Sequence, residues 1–128
     1  MKQPTLPQEL LERAYKYVQA GWTQGVNAVN AEGKSVYDFD PSAVKWCAMG
    51  AIGRAGADIK AVMLGNPRVS ELDARYETNL AYYLAINRLQ EIIGDRATGV
   101  ASFNDTVGRT QAEVLQVLKS AAESFAAE

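Results

Sequence analysis

The sequence predicts a mainly α protein, a compact bundle of four or five helices with a small β-hairpin or extended excursion near residues 26–39. Two observations carry this. Several segments place apolar residues at helical spacing, each behind a residue that caps helix N-termini. One stretch, WTQGVNAVNAEGKSVYDF, has no such period. With 128 residues, 48% hydrophobic and 22% charged, the chain is long enough for one domain over residues 1–128, with a core that needs no disulfide.

The first helix opens at Thr5, with Gln8 three residues on and Pro7 in the first turn. Leu10, Leu11, Ala14, Tyr15 and Val18 form its apolar stripe, and Gly21 ends it. The pieces VNAV and SVYDF, joined by AEGK, read as the hairpin, which must lie against helices because two strands alone are marginal. Asp40-Pro41 reads as the N-cap and first residue of a second helix that runs to about Gly56. Asp58 then caps a short third helix, IKAVML, stopped by Gly65-Asn66-Pro67. Ser70 with Asp73 opens the longest helix, roughly residues 71–93, closed by Gly94. Its apolar residues (Leu72, Tyr76, Leu80, Tyr83 and Leu84, with Tyr82, Ile86, Leu89 and Ile93) cover more than one face, which predicts a central helix contacted from two sides. DRATGVASFNDTVG reads as a loop. Thr110 with Glu113 forms a capping box for the last helix, whose buried stripe is Val114, Val117, Leu118, Ala121 and Phe125.

Composition excludes several activities. There is no histidine, which removes Ser-His-Asp and Cys-His catalysis and His-ligated zinc, and a single cysteine cannot close an intramolecular disulfide. Net charge is −2, and residues 1–64 carry 7 Lys/Arg against 6 Asp/Glu where residues 65–128 carry 6 against 9. Neither half holds a polybasic face for nucleic acid. The N-terminal stretch lacks an apolar signal core and no apolar run approaches a membrane span, so a cytoplasmic protein without membrane attachment is expected.

KWCAMGAIGRAG, residues 45–56, contains the one cysteine beside a tryptophan, among glycines and alanines. With the second helix starting at Pro41, Cys47 falls two turns inside it, away from the helix dipole, and reads as an inert buried thiol. The glycines imply close approach of another backbone, a second copy of the chain, or a ligand; self-association as a homodimer through these small residues is one expectation. DFDPS alternates oxygen ligands at Asp38, Asp40 and Ser42, but the glycine and closing glutamate of a calcium loop are missing. No Walker A or GxGxxG sequence occurs, and no cofactor is expected. Asn104, Asp105 and Arg109 read either as a polar cluster bordering a pocket, with Asp105 an acid or base, or as an Asx-type turn with Arg109 paired to Asp105. Asn87 is a candidate buried polar group whose partners would lie in that loop. Trp22, Thr23, Gln24 and Asn27 could line a groove, and the reading favoured for Trp22 is burial against the first helix.

Two resemblances follow from these motifs. Residues 52–62, IGRAGADIKAV, are similar to the Ile-Gly-x-x-Gly-x-x-Ile-Lys signature of the KH RNA-binding family, which implies a loop at residues 53–56 clamping nucleotides. The long helix expected at 71–93, where that family has strands, and the acidic balance stand against it. Across residues 10–122, GWTQGVNAVNAEGKSV, DPSAVKWCAMGAIGRA and FNDTVGRTQAEVLQVLKSA together resemble a family of small bacterial and phage proteins, a domain of unknown function. That resemblance implies a common fold and one shared structural or binding centre. The candidate centre is Trp22, Gln24, Trp46, Cys47, Asn87, Asn104, Asp105 and Arg109. The sequence leans toward a non-enzymatic interaction or binding module, bacterial or phage-encoded, with an unidentified host protein or small molecule as partner. The alternatives are a small enzyme around Asn104, Asp105 and Arg109, and RNA binding through residues 53–56.

Overall fold

The computed structural model describes residues 4–128; Met1 to Gln3, which enter only the reading of the N-terminal stretch, lie outside the described residues. Within them are five α-helices, a single 3-10 turn and a three-stranded antiparallel sheet. The mainly α architecture with a small sheet is as the periodicity predicts.

Helix α1 (Leu6–Ala20) begins where Thr5 Oγ1 accepts from the Gln8 amide. The Gln8 side chain turns forward to Glu12 instead of back, so only half of the capping box forms. Leu10, Leu11, Ala14 and Val18 are fully buried, and α1 packs against the second, third and last helices. It is the centre of the bundle.

Gly21 to Trp46 contains the sheet. Strands β1 (Ala28–Val29) and β2 (Ser35–Val36) form the expected hairpin, and β3 (Lys45–Trp46) pairs on the other side of β1, with Ala28 opposite both Val36 and Trp46. The third strand corrects the reading of Asp40-Pro41 as a helix start. The Asp40 carboxylate accepts from Ser42 N (2.8 Å) and Ser42 Oγ (2.7 Å), a local turn that competes with helix initiation. That turn sends residues 43–46 back along β1, where Val44 N donates to the Val29 carbonyl (2.8 Å).

Helix α2 (Ala48–Leu64) therefore starts one residue after the cysteine, and it absorbs the expected separate third helix. Asp58 caps nothing. Its carboxylate is held by the Tyr17 hydroxyl and by Arg54 Nε (3.4 Å). Ala48, Ala51, Ile52, Ala55 and Ile59 bury its inner face. Gly50 lies under the Asn27 carbonyl, where a Cβ would collide with backbone, whereas Gly56 faces only a Leu10 methyl at 3.8 Å. The close approach inferred from the glycines is thus met inside the chain.

Helix α3 (Glu71–Ile93) has the expected bounds, with Ser70 Oγ accepting from Asp73 N and Gly94 closing it at φ +63°. Its orientation differs from expectation. The buried side is Ala74, Thr78, Ala81, Ala85, Leu89 and Ile93, while Leu72, Tyr76, Leu80, Tyr83 and Leu84 are exposed. Short alanines let α3 approach the bundle closely, which turns the long side chains outward. At its C-terminal half the Arg88 guanidinium lies 3.9 Å over the Phe125 ring. After the 3-10 turn (Gly94–Arg96), the expected loop contains helix α4 (Val100–Asp105). Helix α5 (Gln111–Ala126) has the full Thr110–Glu113 box and buries the whole predicted stripe.

Gly50→Ala is expected to cost about 1–3 kcal/mol through overpacking, whereas Gly56→Ala is expected to be neutral or to stabilise by about 0.5–1 kcal/mol. Urea unfolding of the two variants checks this; equal effects would contradict the packing described.

Candidate functional site

Asn104, on the last turn of α4, is fully buried and joins three segments. Its Oδ1 accepts from the Trp22 indole N–H (2.9 Å) and from the Ala48 amide (3.0 Å). Its Nδ2 donates to the Thr23 carbonyl (3.1 Å) and to Asp105 Oδ1 (2.9 Å). Both lone pairs and both protons of the amide are used. The partners fix its orientation, because the indole and the Ala48 amide only donate and the Thr23 carbonyl only accepts. Gln24 Nε2 donates to the Asn104 carbonyl (2.9 Å), and the Gly25 amide to Asp105 Oδ1 (2.9 Å).

The Ala48 amide is the first N–H of α2, one of the donors a helix start leaves without an internal partner. Cys47 is the N-cap of the same helix, its Sγ accepting from the Gly50 amide at 3.3 Å and lying 3.7 Å from Asn27 Oδ1. Cys47 thus sits at a helix N-terminus, not two turns inside. Burial nevertheless pushes its thiol up, and the Asp105 carboxylate adds to this, against the backbone N–H groups of Gly50 and Met49 that favour the thiolate. The thiol is buried, as the sequence reading has it, but at a helix start and not within one.

Trp46 is buried next to this network. Its backbone bridges to Trp22, with Thr23 N donating to the Trp46 carbonyl (3.2 Å). Its indole N–H faces the other way, donating to the Asp38 carbonyl (3.0 Å). There Arg54 lies over the Trp46 and Tyr17 rings and donates to the Asp40 carbonyl (3.2 Å). Arg109 does not pair with Asp105. It stacks 3.7 Å over the Phe103 ring, donates to the Phe103 carbonyl (2.9 Å) and pairs with Glu113 (3.1 Å). Asn87 is half-buried on α3 and makes no side-chain hydrogen bond among the described residues. The structure therefore brings together Trp22, Gln24, Cys47, Asn104 and Asp105, with Trp46 and Arg109 one step away and Asn87 apart. Residues 53–56 lie within α2, so the loop that RNA binding required is absent.

Sequence reasoning missed two features. One is the outward side of α3; the recurrence of small residues at Ala74, Thr78, Ala81 and Ala85 was the signal for which face is buried. The other is a groove of about 300 Å³ between α2 and α3, bordered by Asp38, Lys60, Asn79 and Tyr82 over Gly53 and Gly56. No motif spacing announces it, because its residues come from three separate segments.

Fold and site together define a small helical protein in which one buried amide on α4 ties the Trp22–Thr23 stretch to the start of α2. The chain belongs to a family of unknown function, DUF6197, which matches residues 2–124. No curated protein and no solved structure matches it. Among the described residues no helix is long and apolar enough to cross a membrane.

Asn104→Ala is expected to cost about 2–4 kcal/mol, since it strands buried donors and leaves a cavity. Chemical denaturation measures it, and a loss below about 0.5 kcal/mol, the level of an ordinary surface change, would contradict the clasp. Native Cys47 is expected to alkylate with iodoacetamide at pH 8 at least about tenfold more slowly than a cysteine in a free peptide, because a raised pKa lowers the thiolate fraction. Unfolding in urea restores the free rate; a native rate equal to the peptide's contradicts the burial argument.

Proposed function

We propose that this protein is a non-enzymatic interaction module that binds a helix of a partner protein along the outward face of α3. The observation that carries the reading is the exposure of Leu72, Tyr76 and Tyr83, each about two-thirds accessible, together with Leu80 and Leu84. At 100° per residue, Leu72, Tyr76, Asn79, Leu80, Tyr83, Asn87 and Gln90 share the side opposite the buried alanines. None of them is charged. A solvent-facing helix surface ordinarily carries charge, and a contiguous apolar strip is the mark of a binding surface. The spacing Tyr76, Leu80, Tyr83, Asn87 runs 4-3-4, the seam of a helix that packs lengthwise against another, with Asn87 in a position where a polar residue sets register. Tyrosine-rich strips supply contact area at low conformational cost.

What supports a binding role over an enzymatic one is the state of the Asn104 cluster. Its amide has no valence left for a substrate, and Arg109 is engaged elsewhere. The family resemblance suggests a bacterial or phage setting, in which a host protein would be the partner.

A photo-crosslinking phenylalanine analogue at Tyr76 or Tyr83, in cells that naturally make the protein, is expected to give one discrete adduct that the same analogue at Glu32 does not. An adduct of twice the chain mass identifies a second copy, and any other mass a different protein. The double variant Leu80→Lys, Tyr83→Lys is expected to keep stability within about 0.5 kcal/mol and to lose the adduct. Identical patterns from α3 and from Glu32 would overturn the reading.

A further inference from the structure

The groove between α2 and α3 has an unusual lining. Its floor is Gly53 and Gly56, and its walls are Asp38 from the segment after β2, Lys60 from α2, and Thr78, Asn79 and Tyr82 from α3. The Asp38 carboxylate rests on Gly53, in the space that any Cβ there would fill. Thr78 is spent on its own helix, donating to the Ala74 carbonyl (2.8 Å). The remaining groups are unspent. Among the described residues neither Asp38 nor Lys60 has an ion-pair partner within 4.0 Å, though the Phe39 amide and the Arg54 charge lie close to the Asp38 carboxylate; the Lys60 ammonium and the Tyr82 hydroxyl form no hydrogen bond. Asp38, Lys60 and Tyr82 are all half-buried.

This is unlike the larger furrow between α1 and α5, where Gln8 bonds Glu12 and Lys119 faces Glu123. Each of those pairs lies within one helix. In the α2–α3 groove one anion, one cation and two neutral hydrogen-bonding groups converge without pairing. Burial pushes the Asp38 carboxyl up, against the Phe39 amide and the Arg54 charge that favour the carboxylate, and burial followed by the nearby Asp38 charge pushes the Tyr82 phenol up. Asp38 is thus held where its charge is partly withdrawn from water.

We propose that this groove binds a small zwitterion bearing one ammonium and one carboxylate group, the ammonium on Asp38 and the carboxylate on Lys60, with Tyr82 and Asn79 hydrogen-bonding beside them. A phosphate or dicarboxylate would meet the Asp38 charge, and a diamine would meet Lys60, so each wall charge rejects ligands of a single sign. The volume, at the small end of ligand sites, fits a molecule of amino-acid size.

The test is an NMR titration of the full chain with glycine, 4-aminobutyrate and 6-aminohexanoate, which differ in charge spacing, and with butylamine and butyrate at matched ionic strength. At least one amino acid is expected to shift the Gly53, Gly56 and Asn79 amides saturably, at least tenfold more tightly than either singly charged control. Asp38→Asn and Lys60→Met are each expected to weaken that binding at least tenfold, with unchanged α5 resonances showing that the variants are folded. No saturable shift from any of the three, controls that bind as well, or variants that bind as wild type would each overturn the assignment.

Discussion

Much of this molecule depends on one buried amide. The segments that Asn104 joins have little stability of their own: the Trp22–Thr23 stretch leading to strands of two residues, a helix of six, and the bare N-terminus of α2. Two-residue strands and a six-residue helix are below the length at which either persists in water. The amide satisfies donors and acceptors from all of them at once, in a site with no solvent to replace a lost partner. At the far side of the excursion from Gly21 to Cys47, Arg54 of α2 holds the Asp38 and Asp40 carbonyls, and the Trp46 indole braces it from within.

The second constraint is the packing around α1. Its four fully buried residues fill the middle of the bundle, leaving α3 to close a gap lined by alanine. A helix whose small residues face inward must carry its large ones elsewhere, and on α3 they point to solvent. The same choice that permits close helix approach thus creates the apolar strip on which the proposed function rests.

Caps and terminators were the most legible part of the sequence. Ser70 and Gly94 bound α3 as read, and the Thr110–Glu113 pair starts α5, because these signals act within a few residues of chain. Asp40-Pro41 misled for the same reason. An aspartate before proline satisfies helix and turn alike, and the choice was made by β1, which is distant in sequence and offers a strand edge to residues 43–46. Cys47 shows the reverse: the thiol is buried as expected, but it caps a helix, and burial and the Asp105 charge push its thiol up. The breadth of the α3 apolar surface was visible; which part of it faced inward was not, since tertiary contact with α1 and α2 decides between alanine and leucine faces. Of the candidate centre, Trp22, Gln24, Cys47, Asn104 and Asp105 form one network, but their roles follow from three-dimensional bonding that spacing cannot encode.

The dependence of the fold on Asn104 is tested most directly by native-state hydrogen exchange of the two protons its oxygen accepts. The Trp22 indole N–H and the Ala48 amide are resolvable by NMR and are not protected by any regular helix or sheet bond. Both are predicted to exchange only through global unfolding, with protection equal to that of the α1 core amides. Exchange of either at the rate of a solvent-exposed group, in protein whose α1 amides stay protected, would contradict the central role given to Asn104.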